Sequence, residues 1–363
     1  MNRRSFLNTS AAIGGSILAA PSSCLYAGSL VEEKPVAKGV AELITPKTVT
    51  AIKQGLEYLK RKQVREGRFA GAFGAAGYSR GVAVASLAGL AFMCSGSTPF
   101  DGKYASCVRR CAEYVLRNCR DTGYIAAQNE TQASNMYGHG YAMLFLSQVY
   151  GMGLNNKVKE RLAKAIKLTC KVQNHEGGWR YQPVKSDADL SITICQIMAL
   201  RAAHSAGFEV PNEVRERTLK YVEACQNKDG SFNYTKRGGR QTVALAAAGV
   251  VSYYSAGIYE GERIDSALKW IFDRRPGHVD AKVVSPMNYY YAHYYAVQAM
   301  WHAQIQAPHY WNEWYPAIRD ELIDDRMTGP GTWQDPRIGG EFATAMACII
   351  LQMPMNYVPV FSP

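Results

Sequence analysis

The sequence predicts an all-α protein built as two concentric rings of helices, and three observations predict it. A Gln-x3-Gly-x-aromatic motif recurs at a spacing of about fifty residues. Between its copies, amphipathic helices alternate with helices that are apolar nearly all round. The composition, 47% hydrophobic and 20% charged over 363 residues, supplies enough apolar material for one large core.

The first element is a leader. "MNRRSFLNTSAAIGGSILAAPSSCLYAG" carries two arginines, a short apolar run and then small residues. The run is too short and too rich in Gly, Ser and Ala for a membrane span, so residues 1–27 read as an export signal. Arg3-Arg4-Ser5-Phe6-Leu7 resembles the twin-arginine signal of bacterial proteins, with cleavage expected after Ala27 and an extracytoplasmic destination. Residues 28–48 follow as a linker and 49–363 as one helical domain. Loss of Arg3 and Arg4 lowers the formal net charge from +11 to about +9. The basic residues are scattered, so no nucleic-acid tail is present. A mildly basic surface leaves peripheral membrane contact open. Eight cysteines lie beyond the leader, none in a Cys-x-x-Cys pair, which argues against a zinc ribbon or thioredoxin-like site; their disulfide pairing stays open.

The repeats come next. Gln173-x3-Gly177-x-Trp179 has copies at Gln226-x3-Gly230-x-Phe232 and Gln63-x3-Gly67-x-Phe69. Degenerate copies stand at Cys119-x3-Gly123-x-Ile125 and Gly331-x-Trp333. The bulky position steps by 56, 54, 53 and 101, so a unit without the motif lies at roughly 264–304. The first helix of each unit keeps one solvated face, as in "AIKQGLEYLKRKQ" and "VKERLAKAIKLTCKVQ". The second has none, as in "RGVAVASLAGLAFMC", "LSITICQIMALRAAH" and "EFATAMACIILQM", and must be covered on all sides. Six of each nest consistently as an inner ring inside an outer one. An open stack of helix pairs would need polar end repeats, and the last apolar helix is as apolar as the middle ones. The motif itself reads as a staple: Gly permits the turn, Trp179, Phe232 and Trp333 pack between hairpins, and Gln closes onto backbone.

The repeats together with "GGWRY…DADLSITICQIMAL" resemble the squalene–hopene and oxidosqualene cyclases and the β subunits of protein prenyltransferases, over roughly residues 49–355. The resemblance implies the α6/α6 toroid. It is less specific for the reaction, since one fold hosts many activities. Those cyclases carry an Asp-x-Asp-Asp-Thr run whose middle Asp donates the initiating proton. The matching run is Asp187-Ala188-Asp189-Leu190-Ser191, which puts Asp189 at the donor position and replaces the third acid by Leu190. A strongly acidic carboxyl needs polar neighbours, and one is missing. The cyclases also have a second helical domain, which 363 residues do not accommodate. Of the prenyltransferase zinc ligands, His293 alone has a counterpart; the Asp and Cys positions fall near Ala248 and Val250. No metal and no cofactor are expected.

The inner helices should all begin at one rim, where their N-termini concentrate positive partial charge. Arg80, His139, Asp189, Arg240, His293 and Glu341 stand near those starts, one per helix, with Asp187, Tyr137 and Tyr291 beside them. Convergence would give an apolar cavity with a few polar groups, fit for a small-molecule or lipid-like ligand. The plainer readings are an N-cap for Asp187, Asp189 or Ser191, a satisfied ring for His139, and an ion pair of Arg240 with Asp189 or Glu341. Three functions follow: an exported toroid binding an isoprenoid or other lipid, with acid–base chemistry at Asp189; a non-catalytic extracytoplasmic scaffold; and a polysaccharide-active enzyme using Asp189 and Glu341 as opposed carboxylates, roughly 5–9.5 Å apart.

Overall fold

The computed structural model describes residues 39–74, 80–127, 135–153, 155–278 and 288–362, all within one unit spanning Pro35–Pro363. The leader expected at 1–27 lies outside the described residues.

A short α1 (Val40–Leu43) precedes six helical hairpins. The outer helices are α2 (Pro46–Lys62), α4 (Ala105–Arg117), α6 (Asn156–Val172), α8 (Asn212–Cys225), α10 (Glu262–Phe272) and α12 (Pro308–Asp320). The inner helices are α3 (Val82–Met93), α5 (Asn135–Met152), α7 (Leu190–Ser205), α9 (Val243–Ser255), α11 (Tyr289–Ala303) and α13 (Gly340–Gln352). α2 starts at Pro46 rather than residue 49, because Thr45 caps it through the Thr48 N–H and Pro46 occupies the first helical position. The expected linker therefore already holds helix at its end.

Each inner helix packs on the next, α3 to α5 to α7 to α9 to α11 to α13, and α13 packs back on α3. The ring is closed, as the two kinds of helix require. The outer helix α2 also packs on α13, joining the first unit to the last. The unit without the motif is α10 with α11, spanning Glu262–Ala303 and matching the window assigned to it to within two residues.

The motif is the staple between successive units. Gln173 Nε2 donates to the carbonyl of Val214 in the next outer helix at 2.9 Å, and Gln63 Nε2 to that of Cys107 at 3.0 Å. Gln226 does the same to Arg263 at 2.7 Å. Trp179 and Trp333 are buried, each donating its indole N–H to a carbonyl of the preceding helical segment, Thr169 and Leu322. A Cβ on Gly177 would sit 2.0 Å from the Arg217 carbonyl oxygen, and its φ is +98°. In the first unit this role belongs to Gly71 (φ +93°, 2.0 Å from the Arg110 oxygen) and to the fully buried Phe73, not to Gly67 and Phe69. A four-residue insertion after Gln63 displaces the true turn, and Gly67 met the spacing by coincidence. With Phe73 in place of Phe69, the first step becomes 52, in line with the 54 and 53 that follow.

All six inner helices point the same way. Tyr137, Ser191 and Tyr291 meet at one height in the first turns of α5, α7 and α11. Tyr141, Cys195 and Tyr295 meet one turn lower. At the other end, residues 353–362 pack beneath the ring: the Val360 N–H donates to Gln148 Oε1 at 3.3 Å and the Phe361 ring lies 6.1 Å from that of Tyr294. A two-stranded hairpin, β1 (Asn233–Thr235) and β2 (Gly238–Gln241), leads into α9.

Candidate functional site

The described residues build one polar site, at the start of α7. Asp189 is the N-cap, and its position follows from the strand-like approach of the chain: its N–H donates to the Trp179 carbonyl, so the staple holds the cap. Oδ1 accepts the Ile192 N–H at 2.9 Å and the Ser191 hydroxyl at 2.6 Å. Ser191 has given its one proton to Asp189, so the Tyr137 hydroxyl, 2.6 Å from Ser191 Oγ, must donate to it. Tyr291 donates to the Ser191 carbonyl at 2.8 Å. Three inner helices, α5, α7 and α11, thus meet at one serine.

The other carboxylate oxygen is different. Asp189 Oδ2 is buried and has no hydrogen-bond partner, though the carboxylate as a whole is fully buried. Arg180 Nε lies 3.7 Å away, while Arg180 Nη1 is hydrogen-bonded to the exposed Asp187. The Tyr181 and Tyr234 hydroxyls are hydrogen-bonded to each other, and the Arg180 guanidinium lies 5.3 and 5.9 Å from their rings. Burial pushes the Asp189 carboxyl above the usual range; Ser191, the Ile192 N–H, Tyr234 and Arg180 pull it partly back. Tyr137, Tyr181, Tyr234 and Tyr291 are all half-buried and are linked to the hidden acid through Ser191 and Arg180.

The expected convergence of six helices does not occur. Tyr137 and Tyr291 reach Asp189 through Ser191, and Asp187 reaches it through Arg180. His139 is turned between α5 and α6: Nδ1 accepts the Ile125 N–H at 3.1 Å and Nε2 faces Thr169 Oγ1 at 2.9 Å. This is the satisfied ring, and burial lowers its pKa to about 3. His293 is turned outward between Tyr289 and Trp314 of α12, with ring centroids 4.4 and 5.8 Å away. Arg80 lies 4.2 Å from the Phe69 ring, and its carbonyl accepts the Tyr114 hydroxyl at 2.6 Å, all within the first two units. Glu341 acts on Tyr58 of α2, whose hydroxyl pKa burial raises and the nearby Glu341 raises further. Arg240 sits on β2 with its guanidinium 5.9 Å from the Tyr234 ring; the cation beside Asp189 is Arg180 instead. For those on helices, His139, His293 and Glu341, the reason is common. The side chain at each of these positions is aimed by helical phase, and a shared height along the ring does not give a shared direction.

The sequence reading missed Arg180, Tyr181 and Tyr234. A signal was present: Tyr181 and Tyr234 each stand two residues after the stapling aromatic, in "WRY" and "FNY". Since that aromatic is buried, the residue two further on returns to the same side of an extended segment.

Nor is there an open bore. Below the first turn, every described residue of the facing inner helices α5, α7 and α11 down to Met300 is buried. Tyrosines reach across the ring, Tyr141 of α5 lying 3.4 Å from Tyr295 of α11 by their hydroxyls. Among the described residues, no group of three or more His, Cys, Asp or Glu could hold a metal ion. The eight described cysteines are free thiols. Among the described residues no helix is long and apolar enough to cross a membrane.

Residues 108–276 match the profile of the prenyltransferase alpha-alpha toroid domain, which bears out the resemblance read from the repeats. No curated protein matches the chain. Among solved structures, a cellobiose 2-epimerase from Bacillus thermoamylovorans aligns with TM-score 0.63 and 10% identity, over 86% of this chain and 100% of that one. A GH76 α-mannanase from Bacteroides thetaiotaomicron aligns with TM-score 0.60 and 11% identity, over 85% and 96%. A type II terpene cyclase variant from Scytonema, in complex with geranylgeranyl dihydroxybenzoate, aligns with TM-score 0.56 and 13% identity, over 86% and 98%. These likenesses establish the α/α toroid fold shared by three different chemistries.

Proposed function

We propose that this chain, with its prenyltransferase-type α/α toroid domain over residues 108–276, binds a small apolar ligand of isoprenoid type at the tyrosine-walled mouth of α7, with Asp189 as its acid. One observation carries the reading: the buried Oδ2 of Asp189, which accepts no close hydrogen bond and has Arg180 Nε 3.7 Å away, among four half-buried tyrosines. With Oδ1 filled by two donors and burial favouring the neutral form, the acidic proton belongs on Oδ2, where it meets whatever enters between the rings. The tyrosine faces suit both an alkene chain and a positive charge developing on it. Arg180 opposes this by favouring the ionised acid, and its tie to Asp187 draws that charge outward.

A glycoside-hydrolysing site would need a second carboxylate facing Asp189, and among the described residues the expected partners are engaged elsewhere. Glu341 is engaged by Tyr58, and Asp187 is on the same loop as Asp189, bound to Arg180. Among the described residues, glycoside hydrolysis therefore has less support than the lipid reading, despite the mannanase likeness.

The test is mass spectrometry of lipids extracted from the purified protein, followed by incubation with prenyl substrates. The expected result is a co-purifying isoprenoid, and conversion that Asp189→Asn abolishes. An empty protein in which Asp189→Asn alters only thermal stability would establish the non-catalytic scaffold. Export belongs to the same proposal. Lysine at both Arg3 and Arg4 should hold the protein in the cytoplasm of a bacterial host, as read by fractionation.

A further inference from the structure

We infer that three tyrosines form a floor one helical turn below the mouth, and that this floor keeps all but a short apolar group out of the ring axis. The inference rests on the mouth reading above and adds its depth. Tyr137, Ser191 and Tyr291 mark the first turn. Four residues further along the same helices stand Tyr141, Cys195 and Tyr295, and four residues rise about 6 Å. At that level the helices close on one another. The Tyr295 hydroxyl is 3.2 Å from Cys195 Sγ and 3.4 Å from the Tyr141 hydroxyl, so α5, α7 and α11 touch across the axis. Tyr294 fills the space beside them, its ring 4.9 Å from that of Tyr295 and 6.0 Å from that of Tyr141. Phe361 lies against Tyr294, 6.1 Å away, from the C-terminal segment.

The floor is a costly way to pack a core. Tyr294 is fully buried and its hydroxyl has no hydrogen-bond partner, although Phe at that position would fill nearly the same space without a stranded polar group. A helix lined by smaller residues would leave the toroid hollow there, as it must be for a long chain to enter.

Prenyl alcohols of one, two and three isoprene units are titrated calorimetrically into the full chain, into Tyr295→Ala and into the milder Tyr294→Leu. The wild type should gain less than about threefold in affinity beyond the first unit, because further carbons stay in water. A folded floor variant should gain about tenfold or more per added unit, as each methylene becomes buried. A wild type whose affinity climbs with every unit overturns the floor and leaves the mouth reading intact. A flat wild type whose folded variants stay flat also overturns it. If no alcohol binds the wild type, the mouth reading fails, and benzene decides the floor alone. Uptake seen by NMR in either folded variant and not in the wild type supports the floor, since an apolar cavity of this kind takes such a ligand. Uptake by the wild type, or by neither variant, overturns it.

Discussion

Asp189 carries two loads, and single substitutions separate them. As an N-cap it satisfies the Ile192 N–H, and as a buried acid it leaves Oδ2 without a partner. Asp189→Ala should cost about 2 kcal/mol, from the lost cap and the stranded Ser191 hydroxyl. Asp189→Asn keeps an acceptor at Oδ1 and should cost clearly less; urea unfolding measures both. The sign of the pH effect follows from the raised folded pKa. The folded state holds the Asp189 proton more tightly than the unfolded state, so this group favours folding in acid and loses that contribution as pH rises through its folded pKa. The stability difference between wild type and Asp189→Asn should therefore shift against the wild type as pH rises through the carboxylate range. Asp187, the first acid of the same run, is exposed and paired with Arg180, and its neutralisation should leave stability within about 0.5 kcal/mol.

Elements are joined by the repeat motif, and its glycines show which copies are real. Gly71 lies 2.0 Å, through its hypothetical Cβ, from a backbone oxygen of α4; Gly67 has the same left-handed backbone and nothing within 4 Å. Gly67→Ala should cost about 1–2 kcal/mol, the backbone penalty alone. Gly71→Ala should cost well above that, because helix α4 must move, and thermal unfolding of the two variants side by side checks the assignment. His139 is a second joint between elements. It links the Ile125 loop to α6 through Thr169, whose own proton goes to the Ala165 carbonyl, so His139→Phe strands the Ile125 N–H and should cost about 1–3 kcal/mol. Motif spacing made the third and fourth units legible; the first was misread by four residues because an inserted turn also contained a Gly and a Phe.

The whole molecule adds a pH dependence that no element shows alone. His139, His293 and His302 are each buried neutral, with burial lowering their pKa to about 3. Arg326 and Arg201 add to the effect at His293 and His302. In the unfolded chain these rings take up protons near pH 6.5, whereas the folded state excludes them until about 3. Stability is fully present above pH 6.5 and falls as acid is added, by about 1.4 kcal/mol per pH unit for each ring. Three rings together outweigh the opposite contribution of one Asp189. Melting temperature should fall steeply between about pH 6 and 4, and a variant with His139 and His302 both replaced by Gln should show a shallower slope.

Sequence by itself determined the architecture. Helices with a solvated face and helices without one can alternate only as an outer and an inner ring, and the spacing of the motif, with one double step for the unit that lacks it, fixes how many there are. It also determined that Asp189 sits at a helix start, because a cap residue before an apolar run has few other places to be. Which polar groups meet was decided by tertiary structure alone. Six polar residues near the inner-helix starts were expected to meet, yet Tyr137 and Tyr291 turn toward Asp189 while His139, His293 and Glu341 turn to the outer helix of the adjacent unit and Arg80 to the Phe69 ring. Height along a ring is set by position in the chain, but direction is set by helical phase and by how closely neighbouring helices pack. The closing of the bore by tyrosines is of the same kind: their presence was plain in the sequence, and their meeting across the axis was not.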